Sequence, residues 1–146
     1  MVDDDEDDRA LFLRLLQQAN LSHACSVFSS GNDIIDALID VLRGAPPPLA
    51  CFIDVKMPGM SGFDVLRWIR CQHPLNDIPV IMVSGSEEHA DLSEANYFGA
   101  QCYLAKFPTA TQLTEIVREA ERVASESAAN AFKVPSNLLV SSPHLI

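Results

Sequence analysis

The chain has 146 residues, 48% of them apolar, and a formal net charge of −10 at pH 7. That length suits one domain with a real core and is too short for two. The charge argues against nucleic acid as a direct partner, because phosphates are neutralised by Lys and Arg, and against an anionic membrane surface. No apolar run reaches the roughly 20 residues of a membrane helix, and the acidic start Met1-Val2-Asp3-Asp4-Asp5-Glu6-Asp7-Asp8 lacks the basic and apolar regions of a signal peptide.

Cys25, Cys51, Cys71 and Cys102 form no Cys-x-x-Cys pair and sit in or beside apolar runs. They read as reduced, mostly buried thiols of a cytoplasmic protein. His23, His73, His89 and His144 lack metal-ligand spacing and read as surface or loop residues.

From Arg9 to Asn20 the apolar positions Phe12, Leu15, Leu16 and Ala19 have helical spacing, with Asp7 and Asp8 at the start, where the helix dipole favours negative charge. Ala24 to Phe28 is a short β-like run broken by Ser29-Ser30-Gly31-Asn32. Ile34, Ile35, Leu38, Ile39 and Leu42 mark a second helix ended by Gly44, and Pro46-Pro47-Pro48 is a stiff connector. Leu49 to Ile53 is a strand that ends on Asp54. After the Pro58-Gly59 break, Ser61 opens a third helix to about Cys71, with Asp64 placed as in a capping box. Ile78 to Val83 is apolar on both faces, which implies a sheet covered on both sides. A weaker helix covers about Glu87 to Phe98, Cys102 to Ala105 is a last short strand, and Leu113, Ile116, Val117, Ala120, Val123 and Ala124 mark a final helix from Thr109 that fades near Ser127.

Alternating strands and helices predict βαβ units, a parallel sheet and, with right-handed crossovers, a doubly wound α/β fold. Only Met1-Val2 is available for a strand before the first helix. Four polar features fall at predicted C-terminal strand tips: the pair Asp3-Asp4, Asp54, Ser84 and Lys106. In a parallel sheet those tips share one edge, where open α/β sheets place their chemistry. Carboxylates crowded together call for a divalent cation, and oxygen ligands suit Mg²⁺. A hydroxyl and an ammonium opposite them suit a phosphoryl group held on one carboxylate.

This pattern resembles the receiver domain of two-component response regulators over roughly residues 2–124. It includes the acidic pair, Asp54 in Asp-x-x-Met-Pro-Gly-Met-x-Gly, Ser84, Tyr103 and Lys106 in order. The resemblance implies a flavodoxin-like (βα)5 fold with five parallel strands in the order 2-1-3-4-5, the first unusually short. It implies a receiver over residues 1–127 and a tail over 128–146 without an output domain. Asp54 is then the phosphoacceptor and a metal ligand, and Asp3, Asp4 and the backbone carbonyl of Lys56 complete the Mg²⁺ site. If the register slips by one, Asp5 replaces Asp3 or Asp4. Ser84 and Lys106 hold the phosphoryl oxygens. Ser84 and Tyr103 form the switch that reshapes the face of the fourth helix, last strand and last helix.

The implied donor is a histidine kinase or phosphotransfer protein. The implied reader is another protein, with a second copy of the chain a further candidate, and catalysis is limited to phosphoryl acceptance and its own hydrolysis. Two rival readings share some features. A pseudo-receiver has the same fold and binds partners without phosphate. A haloacid-dehalogenase-like phosphatase needs an Asp-x-Asp that Asp54-Val55-Lys56 lacks.

The family pattern has proline directly after the lysine, often across a cis bond; here the order is Lys106-Phe107-Pro108. A cis bond before a residue other than proline costs about 2.5–4 kcal/mol, so the sequence predicts a trans bond and a differently aimed Lys106. Lys56 and Ser86, two residues beyond Asp54 and Ser84, flank the place of the attacking water in the family, and the Lys56 ammonium is expected to slow loss of phosphate.

Overall fold

A computed structural model describes residues 1–21, 25–85 and 89–126. The described elements are the helices α1 (Glu6–Gln18), α2 (Gly31–Leu42), α3 (Gly62–Cys71), α4 (His89–Tyr97) and α5 (Ala110–Ser125), and the strands β1 (Cys51–Asp54), β2 (Val80–Ser84) and β3 (Cys102–Ala105). A short 3-10 turn, His73–Leu75, follows α3.

The starts of α1, α2, α3 and α5 have chemical causes. Asp5 caps α1 by accepting from the backbone N–H groups of Asp7 and Asp8, so α1 begins at Glu6 and not at the predicted Arg9. Ser30 caps α2 through the Asp33 N–H. Ser61 and Asp64 form the predicted capping box of α3, and Thr109 with Gln112 forms another at α5.

The strands are parallel in the order β1-β2-β3, with Asp54 opposite Val83 and Ser84 opposite Ala105. Every residue of β1 and β2 is buried. The period of two sends alternate side chains to opposite faces. Val80 and Met82 join Ile53 and Tyr103 in one apolar cluster with Ile34, Leu38, Val65, Leu66 and Ile69, from α2 and α3. Ile81 and Val83 join Phe52 and Leu104 in a second cluster with Phe12, Leu16, Leu113 and Ile116, from α1 and α5. The Phe12 and Phe52 rings meet at 5.1 Å. Helices therefore cover both faces, as the unbroken apolar run of β2 requires.

Five parallel strands were expected, the first unusually short; three appear among the described residues. The positions of the other two are held by isolated parallel bridges from Val2 to Phe28 on one side and Ile53 on the other. The reason is local. Val2 donates to Phe52 O at 2.9 Å and accepts from Asp54 N at 3.0 Å, but Asp3 already turns toward the α1 cap, so the ladder stops after one residue. Ala24, at the start of the predicted run to Phe28, lies outside the described residues, as do Ser86, His23, His144 and the tail over 128–146. Cys71 is exposed, unlike the buried Cys51 and Cys102, because it closes α3 on its outer side.

Candidate functional site

The C-terminal edge of the sheet gathers the predicted polar residues, each held by backbone geometry. Asp54 ends β1, and the next residue, Val55, donates to Val83 O at 3.0 Å. The loop turns back at Gly59, whose φ of +74° favours glycine, and seats α3 directly behind Asp54. The approach is so close that a Cβ on Gly62 would lie 2.1 Å from the Asp54 carbonyl oxygen.

Asp3 is fully buried. Its Oδ1 accepts from Asp5 N at 2.9 Å, while the Arg9 guanidinium donates to the carbonyls of Asp3 and Asp4 at 2.7 and 3.0 Å. The acidic turn is thus tied to the first turns of α1. Ser84, also buried, ends β2, and its carbonyl accepts from Lys106 N at 2.7 Å.

Lys106 reaches into the centre of this group. Its ammonium lies 2.7 Å from Asp3 Oδ2, 2.7 Å from Asp8 Oδ2 and 3.0 Å from Asp54 Oδ1. The Lys106–Phe107 peptide is cis, where the sequence predicted trans, and Lys106 is not aimed elsewhere. Its backbone is fixed on Ser84, and three carboxylates draw the ammonium inward. The residues border an open cleft of about 400 Å³, which Asp4, Lys56 and Gly85 also line.

Charge is unbalanced here. Burial, together with the nearby Asp3 and Asp4 carboxylates, outweighs the Lys106 contact and pushes the Asp54 carboxyl up to about 6. Burial alone would lower Lys106, but its contacts with Asp3, Asp8 and Asp54 prevail and hold it above the ordinary lysine range.

The response regulator receiver domain family matches residues 1–118. The chain belongs to that family. The DNA-binding transcriptional regulator NtrC of Klebsiella pneumoniae is 32% identical over 143 residues, which are 98% of this chain and 28% of that protein. The chemotaxis protein CheY of Pseudomonas aeruginosa is 38% identical over 66 residues, covering 45% of this chain and 53% of that one. Among solved structures, the BeF3-activated receiver domain of nitrogen regulatory protein C superposes with a TM-score of 0.63 at 32% identity, covering 86% of this chain and 94% of that one. A two-component response regulator from Cytophaga hutchinsonii shares the fold at a TM-score of 0.74 and 23% identity, covering 83% of this chain and 93% of that one. The chain thus spans little more than a quarter of the length of the NtrC protein it matches.

In this receiver, oxygens of Asp3, Asp4 and Asp54 lie within 4.8 Å of one another. Asp5, the alternative in a slipped register, is instead the cap of α1. The group fits a hard divalent cation. Asp3 Oδ2 is buried and has no hydrogen bond of good geometry, with the Lys106 ammonium 2.7 Å away. A buried carboxylate oxygen left in that state is suited to metal ligation, and an all-oxygen donor set favours Mg²⁺ over softer metals. Tyr103 does not line the cleft; it is buried on β3 in the cluster facing α2 and α3.

Two participants escaped the sequence reading. Asp8 was assigned to the helix dipole and Arg9 only to the start of a helix. No spacing rule signalled them: Asp4 precedes the extended cap residue Asp5, so its separation from Asp8 is not that of two residues on one helix face.

Proposed function

We propose that this receiver takes a phosphoryl group from the phosphohistidine of a histidine kinase or phosphotransfer protein onto Asp54. An Asp54 carboxylate oxygen attacks phosphorus, the P–N bond breaks, and the imidazole nitrogen leaves with the bonding electrons and takes up a proton. The observation that carries this reading is the placement of Asp54 beside both the Asp3-Asp4 pair and the Lys106 ammonium, 3.0 Å away. Asp3, Asp4, Asp54 and the Lys56 carbonyl would hold Mg²⁺, which supplies charge neutralisation for the phosphoryl oxygens. Lys106 pairs with one phosphoryl oxygen and Ser84 donates to another. The domain turns over no other substrate; it catalyses only its own phosphorylation and hydrolysis.

The test is incubation with acetyl phosphate and Mg²⁺, read by intact mass. The parent should gain one phosphoryl group and Asp54→Asn none. A gain that persists in Asp54→Asn would remove Asp54 from its role, and no gain in the parent would leave an interaction module that works without phosphate. Lys56 borders the same cleft, and its ammonium is proposed to slow hydrolysis by occupying the approach of water. Lys56→Asn should lose phosphate several-fold faster; an unchanged rate defeats that assignment.

The output is proposed to be a protein-binding face on α4, β3 and α5, coupled to Ser84 and Tyr103. Tyr97 is 83% exposed there and Phe107 36%, which supplies apolar surface for a downstream protein or a second copy of the chain. No described helix is long and apolar enough to cross a membrane, and a cytoplasmic setting is part of the proposal. The strand order 2-1-3-4-5 belongs to it too, supported by the two bridges at Val2.

A further inference from the structure

Asp8 stands outside the converging carboxylates but shares their lysine. It lies in the first turn of α1, and its Oδ2 accepts a hydrogen bond from Lys106 Nζ at 2.7 Å across 98 residues of sequence. The ammonium has three protons and is surrounded by three carboxylates, those of Asp3, Asp8 and Asp54. Two of these, Asp3 and Asp54, belong with Asp4 to the group that converges within 4.8 Å; Asp8 does not. A divalent cation arriving on that group competes with Lys106 for Asp3 and Asp54 and leaves Asp8 uncontested.

Both ends of the Asp8–Lys106 bond are fixed independently. The Asp8 backbone N–H is held by the Asp5 cap at 3.2 Å, and the Lys106 backbone N–H by Ser84 O at 2.7 Å. We propose that Asp8 is a positioning residue for Lys106. It seats the ammonium when the cation takes Asp3 and Asp54, so that two cations share one cleft with Lys106 still within reach of Asp54. This rests on the metal-assisted reading above and adds to it a carboxylate that serves the lysine instead of the metal.

The experiment is a double-mutant cycle read by calorimetric titration of the full chain with Mg²⁺ alone. The variants are Asp8→Asn, Lys106→Met and the pair together, with thermal unfolding to confirm that each is folded. Without Asp8 the ammonium falls back on the metal's carboxylates, so Asp8→Asn should weaken Mg²⁺ binding about tenfold, the scale of one charge-assisted hydrogen bond. In the Lys106→Met background the same change should cost less than about twofold. Asp8→Glu keeps the acceptor and should stay within about threefold of the parent. Should Asp8→Asn not fold, Asp8→Ser supplies the same comparison.

Equal losses in both backgrounds would show that Asp8 acts only by its charge, and no loss in the parent background would show no role; either overturns the proposal and leaves the phosphoacceptor reading standing. A parent that binds no Mg²⁺ overturns both.

Discussion

At the two ends of the sheet a cation reaches in from the side, and the two are satisfied in opposite ways. At the N-terminal edge the Arg70 guanidinium donates to the Gly99 carbonyl at 3.1 Å, the Ile78 carbonyl at 3.2 Å and Gln101 Oε1 at 2.8 Å. Gln101 Oε1 in turn accepts from Val80 N at 2.6 Å. All these acceptors are neutral, and they link α3 to the entries of β2 and β3. At the C-terminal edge the Lys106 ammonium faces three carboxylates, with Asp4 nearby as a fourth acid. One end spends its hydrogen bonds on holding elements together. The other carries surplus negative charge in a buried setting, an arrangement that costs stability and suits a cation. A staple and a binding site are thus distinguished by the charge of the acceptors more than by burial.

The comparison breaks most sharply at Gly62. A Cβ there would sit 2.1 Å from the Asp54 carbonyl oxygen, so Gly62→Ala should destabilise the fold by about 4 kcal/mol. It would show that the charged end, too, rests on tight backbone packing. A thermal midpoint within a few degrees of the parent would refute that. Arg70→Ala should cost about 2–3 kcal/mol in urea unfolding while leaving Mg²⁺ affinity unchanged; a matching loss of affinity would mean that the two ends are not separate.

Asp54→Asn should act with the opposite sign. The Asp54 carboxyl is raised to about 6 in the folded chain, above its unfolded value of about 4. Its contribution to stability is therefore full below about pH 4 and lost as pH rises through about 6. Without Mg²⁺, Asp54→Asn should be more stable than the parent above that window, by on the order of 2 kcal/mol, and the two should converge below it. Parallel stability curves from pH 4 to pH 8 would count against the buried-charge account.

Much of this was legible in the residues, for reasons that differ by element. β2 was clear because an apolar run of both parities can only lie between two layers, and its residues do divide between the two clusters. The α3 start was clear because Ser61 and Asp64 carry their own capping chemistry. That Asp3, Asp4, Asp54, Ser84 and Lys106 meet at one cleft was legible because strand tips of a parallel sheet share an edge.

Contacts set by side-chain reach were hidden. Asp8 looked like one more acid in a run of acids, and only the fold brings Lys106 to it. The Lys106–Phe107 geometry was misjudged because local preference was weighed without the ladder that holds Lys106. The run ending at Phe28 was overestimated because a β-like composition does not lengthen a ladder whose neighbour offers a single residue.

The bond from Lys106 N to Ser84 O, 2.7 Å long, has one more consequence. The hydroxyl residue and the lysine hang from one backbone link at the end of the β2 and β3 ladder. A shift of either strand end at this edge would therefore carry the other with it, within the travel that the paired residues behind them allow. The amide of Lys106 joins the two ends, and its hydrogen-exchange rate is the observable that would register such a shift.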